Sequence, residues 1–231
     1  LSASSPFLDG SPTGMHSQRW IQFPRTPKEV PFFINHDHYV NWIENNLANG
    51  VMWNERHFWS SVRPNGPRRP YELNRLELRI CDLIINPDLL IAVTALLELR
   101  ILSLIQHMDQ LDPLKVSKLN MKELAALSDL NDVLAAKSSL DASLNHWIDG
   151  KPIVCRDWIA DILDNVSPLA TTLGMTHVLL PIYSVLENGN QAMTWLKEYS
   201  NGASVQKLIQ ESISIIETEE ITGTNQQAPL G

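Results

Sequence analysis

Apolar residues recur along this chain at two spacings. Between residues 37 and 49, Tyr39, Val40, Ile43 and Leu47 fall three or four apart, which predicts a helix capped by Asp37 and stopped at Gly50. Over residues 76–82 the spacing is two: Leu76, Leu78 and Ile80 alternate with Glu77, Arg79 and Cys81, which predicts a strand with its leucines toward the core. Residues 58–63 predict another strand, ended by Asn65-Gly66-Pro67 and followed by the basic loop Arg68-Arg69-Pro70. Residues 1–35 are rich in Ser, Pro and Gly, lack a period, and predict loops with short extended pieces.

Beyond residue 85 the pattern is helical. Asn86-Pro87-Asp88 supplies the cap, first position and first turn of a helix reaching about Met108. That helix is apolar on most sides and should be a central packing element. Glu98, Arg100 and Ser103 interrupt its apolar run, so it reads as a buried helix rather than a membrane span. Asn120 with Glu123 forms a capping-box signal for a helix to about Leu134. Shorter helices are expected over 157–165, 174–186, 190–199 and 204–216. The fold class is therefore α+β: residues 1–85 carry the strands, 86–220 a helical region packed on them, and 221–231 a flexible tail.

Composition narrows the function classes. The chain has 231 residues, 44% hydrophobic and 19% charged, which is a globular composition. Its net charge of −8 argues against nucleic acid or an anionic membrane as the main partner. Two cysteines, Cys81 and Cys155, are too few for a disulfide framework and lack metal-ligand spacing, so a reducing cytoplasm is the expected setting. The chain opens on Leu1 inside an ordered-looking segment, and the expectation is a piece of a longer protein.

The candidate chemistry sits on the two strands. Residues two apart share a strand face, so Glu77 and Arg79 project together. Such a pair is either a salt bridge of small energetic value or part of a site. Arg63 at the end of the other strand, followed by Arg68 and Arg69, is either a basic surface loop or a phosphate-binding set. A carboxylate offers oxygen to magnesium, and arginine forks hold phosphate oxygens bidentately. His36 and His38, two apart at a helix start, do not share a face as metal ligands would. His57 could line a pocket, and Trp20, Trp42, Trp53 and Trp59 read as core and pocket wall. Neither a Walker-type glycine loop nor a dinucleotide fingerprint is present.

Arg56-His57-Phe58-Trp59-Ser60-Ser61-Val62-Arg63-Pro64-Asn65-Gly66, followed by Arg75-Leu76-Glu77-Leu78-Arg79-Ile80-Cys81-Asp82, resembles the carboxylate–amine ligase family. The serine-rich turn Leu1-Ser2-Ala3-Ser4-Ser5-Pro6 and the Ser17-Gln18-Arg19 element resemble that family too. The wording of the loop between the strands is most similar to the cyanobacterial branch of glutamate–cysteine ligases. The resemblance implies a glutamine-synthetase-like antiparallel sheet and an ATP-dependent reaction joining L-glutamate to L-cysteine through a γ-glutamyl phosphate. It implies Mg2+ as cofactor with Glu77 as a ligand, and Arg63 and Arg79 as catalytic contacts to ATP and the transferred phosphoryl group. It places Arg19, Ser4 and Ser5 near the amino-acid substrate. Members of that family carry a further Glu-x-Glu magnesium element on an early strand, and none precedes Leu1 here. The expectation is the phosphate-facing half of a site, inactive by itself. The alternatives are a related ligase using another amine, a non-catalytic helical interaction or regulatory module, and a degenerate family member.

Overall fold

The computed structural model describes residues 1–18, 30–55, 62–64, 76–78 and 81–224. Its first element is a tight hairpin of β1 (Phe7–Leu8) and β2 (Ser11–Pro12), with Leu8 paired to Ser11. Asp9 and Gly10 connect them, both at positive φ (49° and 77°). Such a two-residue loop matches strand twist, and Asp-Gly tolerates it with the least strain.

Helix α1 (His36–Ala48) follows. Its cap is Asn35, whose side chain accepts from the His38 amide, and Asp37 sits in the first turn instead. The expected cap is thus displaced by two positions, because the residue in extended backbone just outside the helix is the one able to cap it. Tyr39 and Ile43 are buried with Met52, and Phe33 and Trp42 pack around them. Trp53, expected in the core, is 86% exposed.

Strands β3 (Val62–Pro64) and β4 (Leu76–Leu78) pair antiparallel. Helix α2 (Pro87–Gln106) begins as its sequence dictates: Asn86 accepts from the Leu89 amide, and Pro87 occupies the first turn. Two single-turn helices, α3 (Met108–Leu111) and α4 (Pro113–Val116), lead to α5 (Met121–Ser138). The Asn120–Glu123 capping box forms reciprocally, and α5 runs past the expected end to Ser138.

A 3-10 turn (Ser139–Asp141) then enters a hairpin of β5 (Ser143–Asn145) and β6 (Pro152–Val154), in a region expected to be helical. Three-residue strands are too short to show a period. Asn131 on α5 holds this hairpin, donating to the Asn145 carbonyl and accepting its amide, both at 2.8 Å.

Helix α6 (Cys155–Thr172) continues well beyond the expected 157–165, through Pro168. Proline inside a helix removes one hydrogen bond. The buried stripe Leu163, Val166 and Ala170 keeps the helix going, because burying those side chains outweighs that loss. A 3-10 turn (Thr176–Leu179), α7 (Leu180–Asn188), α8 (Gln191–Ser200) and α9 (Val205–Thr224) complete the described chain. Helix α2 is central, as its all-round apolar pattern predicts. Its Ala92, Ala95, Leu96 and Leu99 pack with Leu163, Val166, Ala170, Leu179 and Ile182 in one buried cluster. The architecture is α+β, mainly helical, with small antiparallel pairs. No helix among the described residues is long and apolar enough to cross a membrane.

Candidate functional site

The β3–β4 pair sets the site. Its register makes Arg63 and Glu77 directly opposite one another, with Val62 against Leu78 and Pro64 against Leu76. Two residues named from separate motifs are thereby brought to one point by backbone pairing alone. The alternation along β4 holds, but its sense is reversed. Leu76 and Leu78 are 52% and 40% exposed, while Glu77 between them is half-buried. A period of two fixes which residues share a face; it does not say which face is covered. Arg19 and Arg79 lie outside the described residues, as do His57, Trp20, Trp59, Ile80, Arg68 and Arg69.

A second cluster forms immediately after β4. Asp82 is 7% exposed and uses both carboxylate oxygens. One oxygen accepts the backbone N–H groups of Ser4 (2.8 Å) and Ser5 (3.2 Å). The other accepts the Ser17 hydroxyl at 3.0 Å. The Ser4 hydroxyl donates to the Leu83 carbonyl at 2.9 Å. A buried carboxylate needs such donors, and charge-assisted bonds of this kind are about twice as strong as neutral ones. The serine turn and Ser17 of the Ser-Gln-Arg element, named separately in the sequence, therefore share one anchor. Ser4 is buried with its hydroxyl engaged inside the fold, whereas Ser5 is half-buried with its amide on Asp82.

Sequence reasoning gave Asp82 no role beyond its place in the motif. Its partners lie 78, 77 and 65 positions away, and no local pattern reports such distances. The signal that could have found it is chemical: an acid placed just past an apolar strand must find donors if the fold buries it.

Two further ties fix the same segment. The amides of His16 and Ser17 both donate to the Ala136 carbonyl near the end of α5 (2.8 and 3.0 Å). The Ala192 amide in the first turn of α8 donates to the Ala3 carbonyl at 3.0 Å. Asn190 caps α8 through the Met193 amide and also donates to the Ser139 hydroxyl. Burial lowers the pKa of His16, partly offset by the charge of Asp141, so the neutral imidazole is favoured. Burial raises the thiol of Cys155, the opposite of what a reactive cysteine requires.

In chemical terms, the ribbon offers a partly covered carboxylate opposite an arginine position. The segment anchored on Asp82 offers hydrogen-bonded backbone and the half-buried Ser5 side chain. A hard cation with phosphate oxygens suits the first, and a small zwitterion suits the second.

Curated proteins named "Putative glutamate--cysteine ligase 2" match along most of the chain. The one from Leifsonia xyli subsp. xyli is 26% identical over 90% of this chain and 53% of its own length. The one from Solibacter usitatus is 29% identical over 95% of this chain and 54% of its own. The one from Gloeobacter violaceus is 26% identical over 89% of this chain and 53% of its own. The chain spans about half the length of the curated relatives it matches. They come from varied bacteria at similar identity, so the narrower cyanobacterial branch is not singled out. The profile of the glutamate-cysteine ligase family 2 (GCS2) matches residues 1–219, and the chain belongs to that family.

Proposed function

We propose that this chain supplies part of an ATP- and magnesium-dependent ligase that joins L-glutamate to L-cysteine. The observation that carries the reading is the pairing of Arg63 with Glu77, within a chain of this family. In this reading the ribbon is an edge of a glutamine-synthetase-like sheet, and the helices after residue 85 pack behind it.

The reaction begins with two anions. The γ-carboxylate of glutamate attacks the terminal phosphorus of ATP, ADP leaves, and a γ-glutamyl phosphate forms. The amine of cysteine then attacks the acyl carbon, phosphate departs, and the amine proton is lost to solvent or a base. Repulsion between carboxylate and polyphosphate opposes the first step. Arg63 and Arg79 offset it and stabilise the charge that spreads over the phosphoryl oxygens. Glu77, a half-buried oxygen donor, fits a magnesium ligand; magnesium favours one or two carboxylates, waters and substrate phosphates. When bound, the ion would screen the phosphate charge. Arg19 and Ser5 would orient the amino acid, with Ser4 supporting the turn. The substrates, ATP and a free thiol among them, suit a reducing cytoplasm. No nucleic acid or membrane partner is invoked.

Phosphate release is the test, measured on the protein that carries this chain with whatever flanks it in its gene. Release should require Mg2+, glutamate and cysteine together. Glu77→Gln should lower kcat/KM by about 100-fold or more, the size expected for losing a group that stabilises transition-state charge. Release indifferent to Glu77, or to glutamate, would overturn the reading. Faster turnover with an amine other than cysteine would shift it to a related ligase. The 231 residues alone should release no phosphate, since they span about half the length of the curated relatives they match; turnover by them would remove the claim that this chain is only part of the ligase.

A further inference from the structure

We infer that Asp82 is the positioning residue of the amino-acid site, holding the serine turn and the Ser17 segment at a fixed place on the chain just past the Glu77 strand. The inference rests on the ligase reading. It begins from a difference between the segments involved. Glu77 belongs to a paired strand whose backbone is fixed by its neighbour. The segments around Ser4–Ser5 and Ser17 are irregular, with no ladder to hold them. Irregular chain keeps a defined place only where its polar groups find fixed partners.

Beside the backbone ties to Ala136 and Ala192, Asp82 is, among the described residues, the one partner common to both segments. A carboxylate can only accept, so the amides of Ser4 and Ser5 and the hydroxyl of Ser17 are all compelled to donate to it. Three bonds on two oxygens define the carboxylate plane, and so the relative position of the two segments. Asp82 also continues the chain that carries Glu77. The phosphate side and the amino-acid side of the site are therefore linked through one side chain. Moving either segment by about 1 Å is enough to cost a reaction roughly 100-fold when two substrates must meet in line. The Ser4 hydroxyl, bonded to the Leu83 carbonyl, reinforces the same junction from the neighbouring residue.

The experiment separates positioning from mere support. Phosphate release is followed in the protein carrying this chain, with KM for L-glutamate and KM for ATP determined independently. Exchange of the Ser4 and Ser5 amides is followed beside that of amides within α2. Asp82→Ala should raise the glutamate KM at least about tenfold and leave the ATP KM within about twofold. It should release the Ser4 and Ser5 amides to fast exchange while α2 stays protected. Asp82→Asn keeps a carbonyl for the two amides and an NH2 that can donate to Ser17, so it should recover most of the glutamate affinity. If Asp82→Ala does not fold, Ser17→Ala decides, with an expected rise in glutamate KM of about threefold or more.

An equal rise in both KM values, or an unchanged glutamate KM with the amides released, overturns the inference while the ligase reading stands. Wild-type protein that releases no phosphate with any amino acid overturns the ligase reading, and the positioning role falls with it.

Discussion

Leu99, Leu163 and Ile182 are fully buried and hold α2, α6 and α7 together by apolar contact, whereas Ser4, Ser5 and Ser17 are held by the two oxygens of one carboxylate. The helical region has many weak contacts that no single change removes. The site region has a few directional bonds, each tied to a named atom. Apolar packing fixes distances loosely and tolerates repacking. Hydrogen bonds to a buried charge fix position and orientation, and fail together when that charge is lost. Under the proposed function, this division lets a helical body carry a segment whose geometry must be set closely.

The comparison can be broken first in the helical body. Leu163→Ala should lower unfolding free energy by about 3–5 kcal/mol in urea titration, because its site at the centre of the cluster has little room to collapse. Asn190→Ala acts at the border of the two regions. It removes the cap of α8 and leaves the buried Ser139 hydroxyl without its donor, so about 2–3 kcal/mol should be lost in the same titration.

His16 sharpens the comparison through pH. Its folded pKa lies below the ordinary 6.5, so the unfolded chain takes up its proton first as pH falls. Stability from this group is fully present above about pH 6.5 and declines from there toward the lower folded value. His16→Phe should flatten the stability profile across that window, and a slope unchanged by the substitution would assign it to another group. The smallest effect belongs to Arg156, whose bond to Asp141 is 2.9 Å but lies at the surface. Arg156→Ala should cost well under about 1 kcal/mol.

How much of this was legible depended on how far the deciding interaction reached. Asn86 with Pro87, and Asn120 with Glu123, announce their helices because cap and helix lie within one turn. The Asp9-Gly10 turn carries a local signal as well, passed over because its strands have only two residues each. Helix α6 defied the local rule: Pro168 argues for an end, and the stripe facing α2 overrides it. The β5–β6 hairpin depends on Asn131, fourteen positions from Asn145, and no periodicity records that bond. For the site, the motifs named Glu77 and Arg63, and strand pairing put them opposite each other. The exposure of Leu76 and Leu78 was beyond reach, because alternation is symmetric between the two faces of a strand.

The bond from the Ala192 amide to the Ala3 carbonyl has a consequence for the order of events during folding. It joins the start of the described chain to a helix close to its end. Closing so large a loop is entropically costly and slow, and local helices form long before it. On a ribosome the serine turn emerges well before its final partner, which follows it only after α2, α5 and α6 have been added. A segment made before the helices is thus among the last to set, and its place stays open until the helical body exists to receive it.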